Sequence, residues 1–197
     1  MNSDEIDQAE TVEGYKLLDE QDHQNTETTV EDYRTLDSGG KLSADEAAKL
    51  ELVLKSDEGD VNARLLLIGF YFHEKVFRGS LSAYQARQPH LIWMVDNQPT
   101  RDVCGSPYLS YVPPSSIKTA KKTAKLYSEA KEHWLKQIDN RDGKPQALSN
   151  AGHFFEFHGE EKLANKLFAR AVAMAPDDLL LSIKCGLTKI DFNDSGW

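Results

Sequence analysis

The sequence predicts an all-α protein built as a short right-handed stack of helical hairpins, with about six or seven helices. Two observations lead to this fold class. Residues 147–178 contain two amphipathic helical patterns back to back. The first pattern places a small residue, Gly152, three residues before an aromatic one, Phe155, and the same spacing recurs earlier in the chain at Gly69 and Phe72. One such hairpin cannot bury its own apolar face, so neighbouring hairpins must stack on it.

The unit at 147–178 carries further small and aromatic residues at helical spacing. Its second helix holds Ala164, Phe168 and Ala171, and Pro176 closes the unit. With Gly152 and Phe155 on the first helix, this arrangement resembles a tetratricopeptide repeat. The resemblance implies a protein-binding scaffold whose concave face receives a peptide or a helix. The alternative interpretation is a generic helical hairpin from an unrelated all-α domain.

Residues 1–40 are predicted to form an acidic, largely disordered tail. This segment contains twelve Asp and Glu residues but only Lys16 and Arg34 as basic residues, a net charge of −10, whereas the rest of the chain has a net charge of +1. Large apolar groups are few, so the segment cannot bury enough surface to offset the entropy of ordering. The helical-repeat domain is therefore predicted to span 41–190.

A nine-residue motif occurs twice in the tail, as TVEGYKLLD at 11–19 and as TVEDYRTLD at 29–37. Each copy spaces a valine, a tyrosine and a leucine three residues apart, with Tyr15 or Tyr33 at the centre. Such a stripe suits a short helix that docks in a groove, and two copies on one tether permit bivalent binding or competition between the copies. Alternatively, the second copy caps the end of the stack and the first is a by-product of duplication.

The first helices of the domain follow the chain break at Gly39-Gly40. Ser43, followed three residues later by Glu46, is a capping-box pattern that predicts a helix over about 44–56. A second helix, over about 61–74, contains the repeated glycine and phenylalanine pair.

The middle of the domain departs from the repeat pattern. A third helix is predicted over 81–97, and Pro89 inside it should kink the helix or push its start later. Residues 99–115 contain several prolines and cannot form a long helix. Because this insert is rich in apolar residues, we expect it to lie against the stack or to form part of a groove.

A long helix is predicted over 117–138, with Trp134 on its buried stripe. Four lysines fall on one side of its early turns, Lys118, Lys121, Lys122 and Lys125. This basic stripe suits an acidic partner or the protein's own acidic tail, and a solvated face is the other interpretation.

The chain ends with a predicted helix over about 179–190 and a frayed segment over 191–197. The apolar side of this helix is formed by residues at helical spacing: Leu180, Ile183, Leu187 and Ile190. It resembles the solvating helix that closes tetratricopeptide stacks.

The sequence contains no motif for catalysis or for binding a metal or cofactor. H-E-x-x-H, C-x-x-C, a glycine-rich phosphate loop and G-x-S-x-G are all missing. Cys104 and Cys185 are far apart and are predicted to be reduced thiols. We predict no catalytic residue, no metal ligand and no cofactor. The one hypothesis that includes chemistry is a small thiol-dependent enzyme, or a regulator of one, that uses Cys104.

Charge and hydropathy disfavour two classes of partner. The near-neutral domain lacks the basic footprint of a nucleic-acid-binding protein. No apolar run is long enough to span a bilayer, and the acidic N-terminus has none of the regions of a signal peptide, so a cytoplasmic location is expected.

The expected function is that of a non-catalytic scaffold or adaptor that binds another protein or a peptide. In the family that the chain resembles, the groove is lined by first-helix residues that do not face the core. By helical phase these candidates are Asn62, Arg64, Tyr71, Asn150, His153 and Phe157. A structural subunit of a larger assembly is the other alternative.

Overall fold

The computed structural model describes residues 29–73, 81–110, 117–139 and 144–186, without the side chains of 117–122. Within these ranges the chain forms eight α-helices and two 3-10 helices and has no strand, which confirms the predicted all-α helical stack. After α1 (29–39), the helices are α2 (Ala44–Ser56), α3 (Val61–Tyr71), α4 (Leu81–Asn97), α5 (Ile117–Asp139), α6 (Pro145–Phe157), α7 (Glu161–Met174) and α8 (Leu179–Lys184). None of these helices is both long and apolar enough to cross a membrane.

Local capping sets where the early helices begin. The Ser43 hydroxyl accepts a hydrogen bond from the Glu46 amide at 3.3 Å, and the Glu46 carboxylate accepts one from the Ser43 amide at 2.8 Å. The predicted capping box is thus present, and α2 has the predicted bounds. α4 starts at Leu81 and continues through Pro89 without a later start. Because proline has no N–H, the Gln85 carbonyl loses its usual helical donor.

The main core contains residues of α1 and of α3 to α8, and a separate smaller cluster packs α2 on α3. The α6–α7 hairpin shows the close approach that its small residues predict: a Cβ on Gly152 would lie 2.3 Å from the Phe168 ring. Phe155 is fully buried beside it. Trp134 from α5 lies in the same cluster, as predicted.

The predicted boundary between tail and domain needs correction. Residues 29–39 were assigned to the tail but form α1, and Leu36 in this helix is fully buried in the main core. The other two apolar residues of the motif in this helix are not buried: Val30 is 43 % exposed and Tyr33 is 36 % exposed. The helical part of the chain therefore includes residues 29–39, which accounts for one helix more than predicted.

The apolar side of α8 named from the sequence does not face the core in the described part of the helix. Leu180 and Ile183 are 60 % and 54 % exposed, whereas Leu181 is buried. Leu181 is the residue that packs because α8 meets α6 and α7 along its other side. Residues 187–197, which include the predicted frayed end, lie outside the described residues.

Two 3-10 helices, Asp102–Gly105 and Pro107–Leu109, replace the long helix that a regular repeat would place after α4. We call residues 99–110 the short-helix segment. As expected for an apolar insert, the segment lies against the stack: Val103, Cys104 and Leu109 are buried.

Candidate functional site

The face on which the sequence places a peptide groove is filled by the chain itself. The 3-10 helix Pro107–Leu109 contacts both α3 and α6, and Asp102–Gly105 also contacts α6. α1 then packs on α3 and on the short-helix segment. A groove open to a partner is therefore not found between α3 and α6 in the described part of the chain.

α1 and α3 meet through their backbones. A Cβ on Gly69 would lie 2.0 Å from the Leu36 carbonyl oxygen, and a Cβ on Gly39 would lie 2.1 Å from the Leu66 carbonyl oxygen. No side chain fits at either glycine without moving a helix. The small residue Gly69, predicted to serve repeat packing, thus makes room for α1.

Two acidic residues of α1 join it to the short-helix segment. The Asp32 carboxylate lies 2.6 Å from the Arg101 guanidinium, and Tyr108 donates its hydroxyl proton to Asp37 at 2.6 Å. Burial of Asp32 outweighs the attraction of Arg101 and raises the pKa of this carboxyl. These contacts fix the register of α1 on the stack.

The first copy of the duplicated motif lacks residues that hold the second copy in place as α1. The first copy has Gly14 where the second has Asp32, and Gln21 stands at the place of Gly39. A segment with these residues offers no carboxylate to Arg101 and puts a side chain where backbones touch. The first copy, including Tyr15, lies outside the described residues.

A fully buried arginine of α4 holds the short-helix segment in place. Arg87 donates from Nη1 to the Tyr108 carbonyl at 2.8 Å and from Nη2 to the Ser110 carbonyl at 2.9 Å. Its guanidinium also faces the ring of Phe72, 5.5 Å from the centroid. One side chain thereby satisfies two carbonyls of a segment that has few regular backbone partners.

Three of the six predicted binding residues are used inside the fold. Asn150 is buried and donates to the carbonyls of Pro99 and Arg101, both at 2.8 Å. Arg64 is buried, donates to the Glu58 carbonyl at 2.7 Å and lies over an indole ring. Tyr71 donates its hydroxyl proton to a carboxylate of α2. These three side chains stabilise the stack and are not free to bind a partner.

The other three predicted residues are divided between two helices. Asn62 is exposed on α3, while His153 and Phe157 lie on α6. Phe157 is 39 % exposed, and His153 packs on the ring of Phe168. Of the predicted basic stripe, Lys125 is exposed. Nothing is described for the side chains of Lys118, Lys121 and Lys122, so their contact with the acidic tail stays a prediction.

An open groove lies instead between α4 and α5, and it holds about 450 Å³. This α4–α5 groove has ten lining residues, among them Asp96 and Glu129 but no lysine or arginine: Gln85, Gln88, Pro89, Ile92, Trp93, Asp96, Asn97, Leu126, Glu129 and His133. Its volume is in the range typical of ligand-binding clefts.

A second groove, of about 510 Å³, lies between α5 and α7. This α5–α7 groove is apolar at Leu163 and Leu167, but its charged lining residues are mainly basic, with Lys136, Lys166 and Arg170. The two grooves are thus similar in size and opposite in charge.

Sequence reasoning missed the α4–α5 groove because its residues come from two helices whose pairing the sequence does not give. One signal was available. Pro89 inside α4 removes the helical donor of the Gln85 carbonyl, and water or a side chain can insert where the hydrogen-bond ladder of a helix is broken. Gln88 beside it is a polar residue at a position that faces α5.

A hydrogen-bonded group joins α2, α3 and α4 near the predicted face. Glu51 accepts a hydrogen bond from Tyr71 at 2.8 Å and lies 3.1 Å from Nε2 of the buried His90. The bond from His90 holds the pKa of Glu51 below its usual value, and it outweighs the opposing effect of burial.

Replacing Glu51 with glutamine is expected to flatten the acid limb of the stability profile. Because the folded-state pKa lies below the ordinary value of 4.5, Glu51 adds stability that is present above that pH. The contribution is lost as the pH falls through the folded-state pKa. Urea unfolding followed by circular dichroism from about pH 7 to about pH 3 measures it. Parallel curves for wild type and Glu51→Gln would contradict the assignment.

The residues considered for chemistry give no support to a reaction. Cys104 is fully buried, its thiol donates to the Gln98 carbonyl at 3.2 Å, and burial raises the pKa of the thiol. A reactive cysteine needs access and a lowered pKa. Across the described ranges, no group of three or more histidine, cysteine or acidic residues is arranged to hold a metal ion.

Comparison of the chain with protein-family models, with curated proteins and with solved structures gives no match. The resemblance to tetratricopeptide repeats therefore depends on the residues of this chain alone.

Proposed function

We propose that this protein is a non-catalytic scaffold of the tetratricopeptide type that binds another protein through the α4–α5 groove. The observation that carries the proposal is the groove itself. It is open, it has an apolar centre of Ile92, Trp93 and Leu126, and no described segment of the chain covers it. Helical stacks bind peptides and helices in clefts of this kind.

The face between α3 and α6 is already covered, which also favours the α4–α5 groove as the place where a partner protein binds. On the covered face the chain uses its own helix, α1, and the short-helix segment as occupants. The buried polar residues on that face, Arg87 and Asn150, have backbone carbonyls as partners. A partner protein is therefore expected at the α4–α5 groove and not at the face that the sequence favoured.

Photo-cross-linking from the groove tests the proposal. A benzoyl-phenylalanine at Gln85, which lines the groove, is expected to form a discrete adduct in lysate when placed in the full-length chain. The same group at the exposed Lys49 of α2 is the control and is expected to give no such adduct. The adduct should disappear in a Leu126→Glu background while the circular dichroism spectrum stays unchanged. Equal adducts from both positions would contradict binding at the groove.

The mass of the adduct also distinguishes the proposed function from a second candidate, in which the protein is a structural subunit of a larger assembly. The exposed apolar side of α8, with Leu179, Leu180 and Ile183, favours that candidate. An adduct with twice the mass of the chain would indicate self-assembly, and an adduct of another mass would indicate a separate partner.

A further inference from the structure

We infer that the α4–α5 groove binds a cationic side chain, lysine or arginine, presented by a basic segment of a partner protein. The inference rests on the proposed function and adds the chemistry of the partner. It is carried by the hydrogen-bonding character of the groove, which offers acceptors and few donors.

The first acceptor is the side-chain amide of Gln88. Its Nε2 donates to the Leu126 carbonyl at 3.0 Å and to the Glu129 carboxylate at 3.3 Å, and since both partners are acceptors, the orientation of the amide is fixed. Gln88 is 6 % exposed, and its Oε1 is buried with no hydrogen-bond partner among the described residues. A buried acceptor left unpaired is costly, which favours a ligand that donates.

Further acceptors come from the backbone and from acidic side chains around the same groove. Pro89 leaves the Gln85 carbonyl without its helical donor. Asn97 donates its amide to the Trp93 carbonyl at 2.9 Å, so its side-chain oxygen remains as an acceptor. Glu129 supplies a full negative charge on an exposed carboxylate.

Three donors that line the groove already have acceptors, namely the side-chain amides of Gln88 and Asn97 and the ring of His133. The His133 ring nitrogen Nδ1 lies 2.8 Å from the Asp96 carboxylate. Lysine and arginine are the side chains that only donate, and their alkyl stems suit the apolar centre at Ile92 and Leu126. The segment before α1 has the wrong charge for this position, since residues 1–28 contain nine Asp and Glu residues and one lysine, a net charge of −8.

Nuclear magnetic resonance titration of the full-length chain with small probes tests the inference. The cationic probes are the N-acetyl methylamides of arginine and lysine, and the controls are those of norleucine and glutamate. The cationic probes are expected to shift the Trp93 indole and Leu126 methyl signals saturably, and to leave the Leu163 methyl in the α5–α7 groove unchanged. Added salt should weaken the effect.

Matched variants locate the charge. Glu129→Gln is expected to weaken the binding of the cationic probes about fivefold, which is the effect of losing an exposed ion pair. Glu132→Gln removes a carboxylate one turn away that does not line the groove, and it should leave binding unchanged.

Several outcomes would overturn the inference. Equal shifts from norleucine and arginine would show a merely apolar groove, which leaves the proposed function standing. Shifts from glutamate, or an equal loss in both variants, would reject the cationic partner. Concentration-dependent shifts at Trp93 without a probe would assign the groove to a second copy of this chain. Failure of the proposed function would be seen in the photo-cross-linking experiment, where benzoyl-phenylalanine at position 85 would form no discrete adduct.

Discussion

Replacing Gly69 with alanine is expected to lower the free energy of unfolding by about 3 kcal/mol and to loosen α1 from the stack. The added Cβ would lie 2.0 Å from the carbonyl oxygen and 2.8 Å from the carbonyl carbon of Leu36. Both atoms belong to the backbone, so relief requires that α1 moves as a body. Such a movement also withdraws the Leu36 side chain from the core.

Chemical denaturation of wild type and variant measures the loss, and hydrogen exchange of the α1 amides shows where it falls. Gly59→Ala is the matched control, because a Cβ there would meet one side-chain atom at 3.4 Å. We expect that control to lie within about 0.5 kcal/mol of wild type. A Gly69→Ala protein with unchanged stability and protected α1 amides would show that α1 does not pack as described.

Replacing Arg87 with methionine is expected to destabilise the protein by about 2–4 kcal/mol. Methionine keeps much of the alkyl volume but removes the donors to the carbonyls of Tyr108 and Ser110. Ser110 is fully buried, so its carbonyl cannot turn to water without local opening. The short-helix segment should therefore open before the rest of the stack.

Hydrogen exchange over residues 99–110, compared with global unfolding by urea, checks this order of events. Arg170→Met is the control, because Arg170 makes the same kind of bond, to the Ile138 carbonyl at 2.8 Å, from an exposed side chain. We expect that variant to lose less than about 1 kcal/mol. Equal losses of unfolding free energy in the two variants would show that the burial of Arg87 does not increase the contribution of its hydrogen bonds to stability.

Features that depend on near neighbours in the chain could be predicted from the sequence. The capping box at Ser43 and Glu46 gave the start of α2, since its two hydrogen bonds close within one turn. The small residue Gly152 was expected to bring two helices together, and the ring of Phe168 lies against it. Both residues belong to one hairpin, whose short connection leaves few ways to pair its helices.

Features that join distant segments could not be predicted. Arg64 and Asn150 have the helical phase of groove residues, but each is buried against backbone carbonyls. Helical phase predicts on which side of a helix a residue lies, but it does not predict which other segment of the chain covers that side. The candidate groove was missed for the same reason, because Gln88 and Glu129 meet only when α4 lies on α5.

For this protein the sequence by itself determined the all-α class, the starts of α2 to α5 and of α8, and the lack of a catalytic motif. These follow from periodicity and from hydrogen bonds that close within a turn. The tertiary structure alone decided that α1 belongs to the stack and that the open groove lies between α4 and α5. The physical reason is that backbone contact at Gly69 and the free acceptor of Gln88 depend on pairs of helices, and many pairings are compatible with the same helical pattern.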